Sequence, residues 1–262
     1  MFPPGGGGRG YSFLVYILPY VDQEPLYRAI DFSQPSDSGN DAVRSKVVPN
    51  YICPSDPSSS AVASSATVVG SALTSYAGNS GSGVQRYGFN GIFQHLETFS
   101  TIFPEGPVRA SQVTDWLSQT AAISEILHAN GSFARLRVDW NTPRALTQPD
   151  QLELFADLCD SIPPSPNDRG WLGDAWARGS PWMHGNSMYT FYNHLLGPGR
   201  PSCFNGTEVF TGISTTASTH SRGVNVLFAD GHVDFVSADI DSGAWSAMGS
   251  RTDRILRLTT AN

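Results

Sequence analysis

Two residues capable of chemistry, a histidine and an aspartate, are separated by nine residues towards the C-terminal end of the chain. His220 and Asp230 could act as base and acid, or could share a metal ion, if their side chains met. A β-strand rises about 3.3 Å per residue, so a strand between them would hold the two side chains far apart. We therefore predict structural roles: His220 hydrogen-bonds to backbone, and Asp230, beside Gly231, bonds its own backbone to form a turn.

The element that must position this pair is a β-hairpin over residues 223–237. Apolar residues alternate with others on both sides of an Asp-Gly dipeptide: Val224, Val226, Phe228, Val233 and Phe235. Asp-Gly between such runs favours a tight turn, because both residues tolerate the positive φ that the turn requires. The alternation predicts one apolar face of the hairpin, and we expect that face to be buried.

Other elements follow from apolar spacing. A helix is predicted over residues 150–159, and strands are predicted at 108–113 and 120–127. Glu125, in the second of these strands, is expected to point outward or to pair with an arginine. Residues 238–249 are expected to form a turn region.

Further candidate sites are weak. Asp239 and Asp241 faintly match the start of a calcium loop, but Ser250 stands where the twelfth-position glutamate is needed. Four histidines match no zinc-ligand spacing: His184, His194, His220 and His232. The segment 78–82 lacks the last glycine of a nucleophile elbow. We therefore predict no catalytic residues, no enzyme activity and no cofactor, with calcium at Asp239 and Asp241 as a weak alternative.

Four tryptophans lie in a loop-rich part of the chain: Trp140, Trp171, Trp176 and Trp182. Flat aromatic rings beside carboxylates and amides suit stacking on sugars, so these residues could form a glycan-binding or partner-binding surface. Alternatively the rings pack this region onto a sheet, because tryptophan buries a large area. The sequence leaves both interpretations open.

Composition excludes some partners. The 262 residues carry a formal net charge of −7 and 15% charged residues, and Lys46 is the one lysine. An acidic, lysine-poor surface argues against nucleic acid and against electrostatic docking to anionic lipid. No apolar run approaches the roughly 18–20 residues that cross a bilayer. The 26 glycines and 18 prolines are typical of a loop-rich, β-rich protein.

Short blocks in a fixed order connect the chain to a known group of proteins. They are Phe2-Pro3-Pro4-Gly5, Leu18-Pro19-Tyr20 with Gln23 and Leu26-Tyr27, Cys53-Pro54-Ser55-Asp56-Pro57, Thr74-Ser75-Tyr76-Ala77-Gly78-Asn79, Val113-Thr114-Asp115 through Thr120 and Glu125, Pro201-Ser202-Cys203, and His220 with Asp230-Gly231. The ordered set resembles a large pilin-like family of unknown function that is abundant in planctomycete-type bacteria. Trp116 stands where that family usually has glycine.

The resemblance implies a fold and a location. The fold would be α+β, with a type IV pilin-like or pseudopilin-like antiparallel sheet. Family members begin with a prepilin-type leader and a hydrophobic helix, and this chain is expected to start just after that helix. The protein would then be exported and anchored in the cell envelope through a helix absent from this chain.

An exported location bears on the three cysteines. Cys159 and Cys203 could then form a disulfide worth about 2–4 kcal/mol. Cys53 would be left over, and the resemblance places its partner in the missing helix. The alternative is three buried free thiols.

These observations predict one α+β domain over residues 1–262, with a loop-rich β insertion near 129–205. The predicted function is a non-enzymatic, exported, pilin-like surface subunit in secretion, adhesion or cell-envelope assembly. Its partners would be other pilin-like subunits or envelope proteins. The alternative is an extracellular carbohydrate-binding or solute-binding module that uses the tryptophans.

Overall fold

The fold is mixed α+β. The computed structural model describes residues 1–6, 9–36, 39–56, 70–84, 90–94, 107–127, 140–141, 146, 149–161, 178–186, 189–205 and 208–252. The α-helices in these ranges are α1 Phe13–Ile17, α2 Glu24–Arg28, α3 Asp41–Arg44, α4 Leu152–Asp160 and α5 Ser242–Gly249. The strands are β1 Tyr76–Asn79, β2 Ala121–Glu125, β3 Trp140–Asn141, β4 Phe191–Tyr192, β5 Cys203–Asn205, β6 Glu208–Ile213, β7 Gly223–Phe228 and β8 Val233–Ser237.

Five strands form the main sheet, in the order β4-β1-β2-β7-β8. The pairs β1–β2, β2–β7 and β7–β8 are antiparallel, but β4 runs parallel to β1. The sheet is therefore mixed, and the expectation of a wholly antiparallel sheet was wrong. The short strand β4 reaches the sheet edge after a long excursion of the chain, which permits a parallel pairing that no hairpin can make.

The predicted hairpin is present as β7 and β8, but its burial differs from the expectation. Val224, Val226 and Phe228 are buried, whereas Val233 and Phe235 are 62% and 47% exposed. The register pairs Val224 with Val236, so Val236 faces inward and the two neighbouring apolar residues face outward. In the described part of the chain β8 is an edge strand of this sheet, paired with β7, and its Val233 and Phe235 share the outward face.

The largest apolar cluster surrounds α1, whose Phe13, Leu14 and Val15 are buried. Pro19 lies in the first turn of a 3-10 helix, Leu18–Val21, that follows directly. Proline suits a first turn, since its missing N–H has no helical partner there. No helix in the described part of the chain has the length and apolar character needed to span a membrane.

A second sheet, ordered β3-β5-β6, packs with α4 in a separate apolar cluster. The predicted helix over 150–159 is confirmed as α4, and its buried face includes Leu152, Phe155 and Cys159. The disulfide between Cys159 and Cys203 is present and joins α4 to β5. Within residues 129–205, strand β4 belongs to the main sheet and pairs with β1.

Two local predictions were wrong. Residues 108–113 contain a 3-10 helix, Ala110–Gln112, instead of a strand. Residues 238–249 were expected to be a turn region, but they contain α5. Asp241 caps α5, its carboxylate oxygen accepting a hydrogen bond from the backbone N–H of Ala244 at 2.9 Å. Aspartate satisfies an N–H that a helix start leaves without a partner, which offsets the low helix propensity of the glycine and serines that follow.

Candidate functional site

The tip of the β7–β8 hairpin is closed by Asp230. Its Oδ1 accepts hydrogen bonds from the backbone N–H of His232 at 3.1 Å and from His232 Nδ1 at 2.6 Å. Gly231 has a φ of +99°, a conformation that side-chain-bearing residues avoid. The hydrogen bonds from His232 lower the pKa of Asp230, and the bond from the His232 backbone N–H has the largest effect. The imidazole of His232 also stacks on Phe228, with ring centres 4.4 Å apart.

The foot of the hairpin is organised around a buried carboxylate. His220 precedes β7, and its Nε2 lies 3.3 Å from Oε1 of Glu125. The prediction that His220 bonds to backbone was therefore wrong for its ring, which faces a carboxylate. The His220 backbone N–H donates to Ser218 Oγ at 3.2 Å, and this bond holds the local loop.

Glu125 is buried, with only 4% of its surface exposed. The expectation that this residue points outward was therefore wrong. Its Oε2 accepts a hydrogen bond from the backbone N–H of Asn225 at 2.8 Å, and its Oε1 accepts one from Asn225 Nδ2 at 3.2 Å. Glu125 ends β2, and β2 lies between β1 and β7 in the main sheet. A side chain at the end of a central strand has neighbours on both sides, so the carboxylate meets donors on β7 and not solvent.

The third member of this cluster is Cys53, a free and buried cysteine. Its Sγ lies 3.8 Å from Glu125 Oε1 and 3.9 Å from His220 Nε2. Its backbone N–H donates to Ser75 Oγ at 3.0 Å, which fixes the thiol against the end of β1. Among the residues that the structure describes, Cys53, Glu125 and His220 are the one group of three side chains placed to hold a metal ion.

The sequence analysis missed this group because its members are distant along the chain. Cys53 and Glu125 are 72 residues apart, and Cys53 and His220 are 167 apart. No spacing motif spans such distances. A usable signal was nevertheless present, since each of the three residues lies in one of the blocks that carry the family resemblance.

The weak calcium candidates each have another partner. Asp239 pairs with Arg222, whose Nη2 donates to Asp239 Oδ2 at 2.7 Å. Asp241 caps α5, as described above. In the described ranges neither residue belongs to a group of three potential ligands.

The sequence left a surface role and a core role open for four tryptophans, and among them the structure describes the side chain of Trp182. Trp182 is fully buried, and its ring N–H donates to the Lys46 carbonyl oxygen at 3.1 Å. It packs near Tyr51, with ring centres 5.7 Å apart, and therefore belongs to the core and not to a binding surface. The backbone of Trp140 lies in β3, whereas Trp171 and Trp176 lie outside the described residues.

A different tryptophan is exposed beside the hairpin tip. Trp116 is 72% exposed and has a φ of +57°, where glycine is the preferred residue. Its ring lines a shallow cavity of about 470 Å³ together with Asp230, Ser118 and Val113. The turn therefore keeps a left-handed backbone although tryptophan replaces the usual glycine of the family resemblance.

His194 is the most deeply buried histidine described. Its Nδ1 lies 2.7 Å from the carbonyl oxygen of Trp245, which can only accept, so Nδ1 carries the proton. Nε2 is then free to accept from the Tyr192 hydroxyl at 3.2 Å. Burial lowers the pKa of His194 to about 3. The ring is thus a neutral structural link between β4 and α5.

The protein is α+β, and the cluster of Cys53, Glu125 and His220 brings a thiol, a carboxylate and an imidazole together at the foot of its hairpin. Over residues 1–243 the chain matches the family described as "Protein of unknown function (DUF1559)", and it belongs to that family. No curated protein and no solved structure matches the chain.

Proposed function

We propose that this chain is a non-enzymatic, exported surface subunit of the pilin-like or pseudopilin-like type. It would act in secretion, adhesion or cell-envelope assembly, and other pilin-like subunits would be its partners. The disulfide between Cys159 and Cys203 carries the export part of the proposal. Disulfides persist in oxidising compartments, whereas cytoplasmic thiols are generally kept reduced, so this bond favours a protein that works outside the cytoplasm.

The hairpin offers a surface for assembly. The strand β8 is at the end of the five-stranded sheet, and Val233 and Phe235 expose apolar side chains there. An edge strand that exposes apolar side chains readily packs against another subunit. We assign this edge, defined by Val233 and Phe235, to contact with a second pilin-like subunit.

The export part of the proposal is tested in the native host. The full-length gene product would carry an epitope tag and be followed by cell fractionation, by surface protease treatment and by thiol labelling. We expect it in the cell envelope or outside the cell, with Cys159 and Cys203 oxidised. A cytoplasmic protein with both thiols reduced would contradict the proposal.

The assembly part of the proposal is tested by lysine substitutions on strand β8. Val233→Lys and Phe235→Lys are expected to abolish cross-linking between copies on the cell surface, because each places a cation on the apolar edge. Tyr20→Lys is the matched control, since Tyr20 is an exposed aromatic residue, 86% accessible, outside the hairpin. Cross-linking that survives both edge substitutions would exclude β8 as the contact.

A second candidate function is supported by Trp116. An exposed tryptophan held in an unfavourable backbone conformation, beside the Asp230 carboxylate, suits a sugar ring that stacks on the indole and donates hydroxyl hydrogen bonds to the carboxylate. This is the carbohydrate-binding alternative, at a site different from the one that the sequence predicted. The cavity is shallow, which would suit an oligosaccharide chain more than a small enclosed solute.

The test of this alternative is a glycan array probed with the wild-type chain and with Trp116→Gly. Glycine removes the ring and accepts the positive φ, so the fold is preserved. We expect any wild-type glycan signal to disappear in Trp116→Gly and to persist in Tyr20→Ala. An array without a wild-type signal, or a signal unchanged by Trp116→Gly, would exclude this site.

A further inference from the structure

We propose that Cys53, Glu125 and His220 form a binding site for a zinc ion, a role that goes beyond the proposed surface function. The three side chains come from the loop before β1, the end of β2 and the loop before β7. A metal ion bound there would join three parts of the chain that are remote in sequence.

The donor atoms have the spacing of a tetrahedral site. Zinc binds thiolate sulfur at about 2.3 Å and imidazole nitrogen or carboxylate oxygen at about 2.0–2.2 Å, which places tetrahedral ligand atoms about 3.3–3.7 Å apart. The corresponding distances here are 3.3 Å from His220 Nε2 to Glu125 Oε1, 3.8 Å from Cys53 Sγ to Oε1, and 3.9 Å from Sγ to Nε2. Shifts of a few tenths of an ångström would complete the site.

The same distances argue against a nucleophilic triad. In a triad the histidine contacts the nucleophile through one ring nitrogen and the orienting carboxylate through the other. Here Cys53 and Glu125 both approach Nε2 of His220. Three donors that converge on one point suit a shared cation better than a proton relay.

The surroundings favour a cation and orient its ligands. Cys53 and Glu125 are 6% and 4% exposed, and a buried carboxylate is costly unless hydrogen bonds or a positive charge compensate it. Asn225 donates to both oxygens of Glu125 and thereby directs Oε1 at the cluster.

The donor set selects the metal. A thiolate with an imidazole favours zinc over calcium or magnesium, which require oxygen ligands in larger number. Three protein ligands leave the fourth tetrahedral position for water, and the His220 side chain is 35% exposed, so solvent can reach the site.

The experiment uses the purified chain, freed of metal with a chelator and titrated with zinc chloride against a chromophoric competitor. We expect one zinc ion per chain with a dissociation constant of about 1 μM or tighter. Cys53→Ser, Glu125→Gln and His220→Gln should each weaken binding by about 100-fold or more, and Asn225→Ala by about 10-fold to 100-fold. The control is the double variant Asp230→Asn with His232→Gln, which removes the other histidine–carboxylate pair of the hairpin and should bind like the wild type.

Two measurements on the wild-type chain keep the test independent of variant stability. Cobalt chloride should produce the near-ultraviolet absorption of a cobalt–thiolate bond. Cys53 is the one free thiol, since the other two cysteines form the disulfide, so zinc should slow its reaction with a thiol reagent at least 10-fold. Absence of both effects, or equal loss of zinc binding in the hairpin-tip control, would overturn the proposal.

Discussion

The β7–β8 hairpin carries a histidine–carboxylate pair at each end, and the two pairs differ in almost every physical respect. At the tip, Asp230 and His232 are two residues apart, and their side chains are 36% and 44% exposed. At the foot, Glu125 and His220 come from separate parts of the chain, and the Glu125 side chain is only 5% exposed. The tip pair is the closer one, at 2.6 Å against 3.3 Å.

We expect distance alone to be a poor measure of how much a histidine–carboxylate contact contributes to stability. An exposed pair gains little, because water and salt screen its attraction. A buried carboxylate has lost its water and depends on every donor around it, so removing one partner is costly. We therefore expect the longer contact at the foot to matter more for stability than the shorter one at the tip.

The largest effect should come from truncating the two carboxylates. Glu125→Ala should lower the free energy of unfolding by about 2–3 kcal/mol, because it leaves the partly buried Asn225 backbone N–H and side-chain amide without their acceptor. Asp230→Ala should leave the unfolding midpoint close to that of the wild type. Urea denaturation followed by fluorescence at neutral pH compares the two variants. Equal losses of unfolding free energy in the two variants would contradict the expected difference between the foot and the tip of the hairpin.

A third histidine separates the effect of burial from that of a neighbouring carboxylate. His194 contacts a carbonyl and a phenol, and its pKa is lowered to about 3 in the folded chain. In the unfolded chain the histidine binds a proton near its ordinary pKa of about 6.5. The stabilisation that depends on a neutral His194 is therefore complete above that pH and is lost as the pH falls towards 3. The slope should approach about 1.4 kcal/mol per pH unit between these values.

The pH series needs a variant that lacks the titrating ring. His194→Gln should be less stable at neutral pH, yet its stability should change less between pH values of about 6 and 4. Denaturant melts at several pH values measure the slope. An identical slope in wild type and His194→Gln would assign the acid sensitivity to other groups.

Two glycines extend the comparison to the backbone. A Cβ at Gly223, at the foot, would lie 2.3 Å from the Val236 carbonyl oxygen and 2.6 Å from the Phe235 ring. A Cβ at Gly231, at the tip, would meet no atom within 4 Å, so only its positive φ opposes substitution. We expect Gly223→Ala to cost about 2–3 kcal/mol and Gly231→Ala about 1 kcal/mol. Thermal melts decide the order, and a larger loss at Gly231 would contradict it.

The smallest expected effect is the titration of the tip carboxylate. The pKa of Asp230 is lowered, first by the backbone N–H of His232. A lowered pKa means that this stabilisation is present above the unfolded-state pKa and is lost as the pH falls through the folded value. Asp230→Asn should therefore show a slightly smaller drop in thermal midpoint than the wild type on acidification below a pH of about 4. A larger drop in the variant would reverse the assigned sign.

Local patterns predicted part of this molecule well. The Asp-Gly turn, the helix α4 and the strand β2 all depend on neighbouring residues, and each was correctly located from the sequence. The disulfide between Cys159 and Cys203 was also predicted, with three free thiols as the alternative that the sequence left open. The burial of Glu125 and the exposure of Phe235 were not predicted. The burial of Glu125 depends on the central place of β2 in the sheet, and the exposure of Phe235 depends on which face of β8 packs inward. No local pattern contains that information.

The sequence by itself determined the hairpin, its turn residues and the family to which the chain belongs, because these depend on residue types at short, fixed spacings. Only the tertiary structure decided that Cys53, Glu125 and His220 meet. Strand order in the main sheet brings β2 beside β7 and places the Cys53 loop against the end of β1, so contacts separated by more than 70 residues form at the foot of the hairpin.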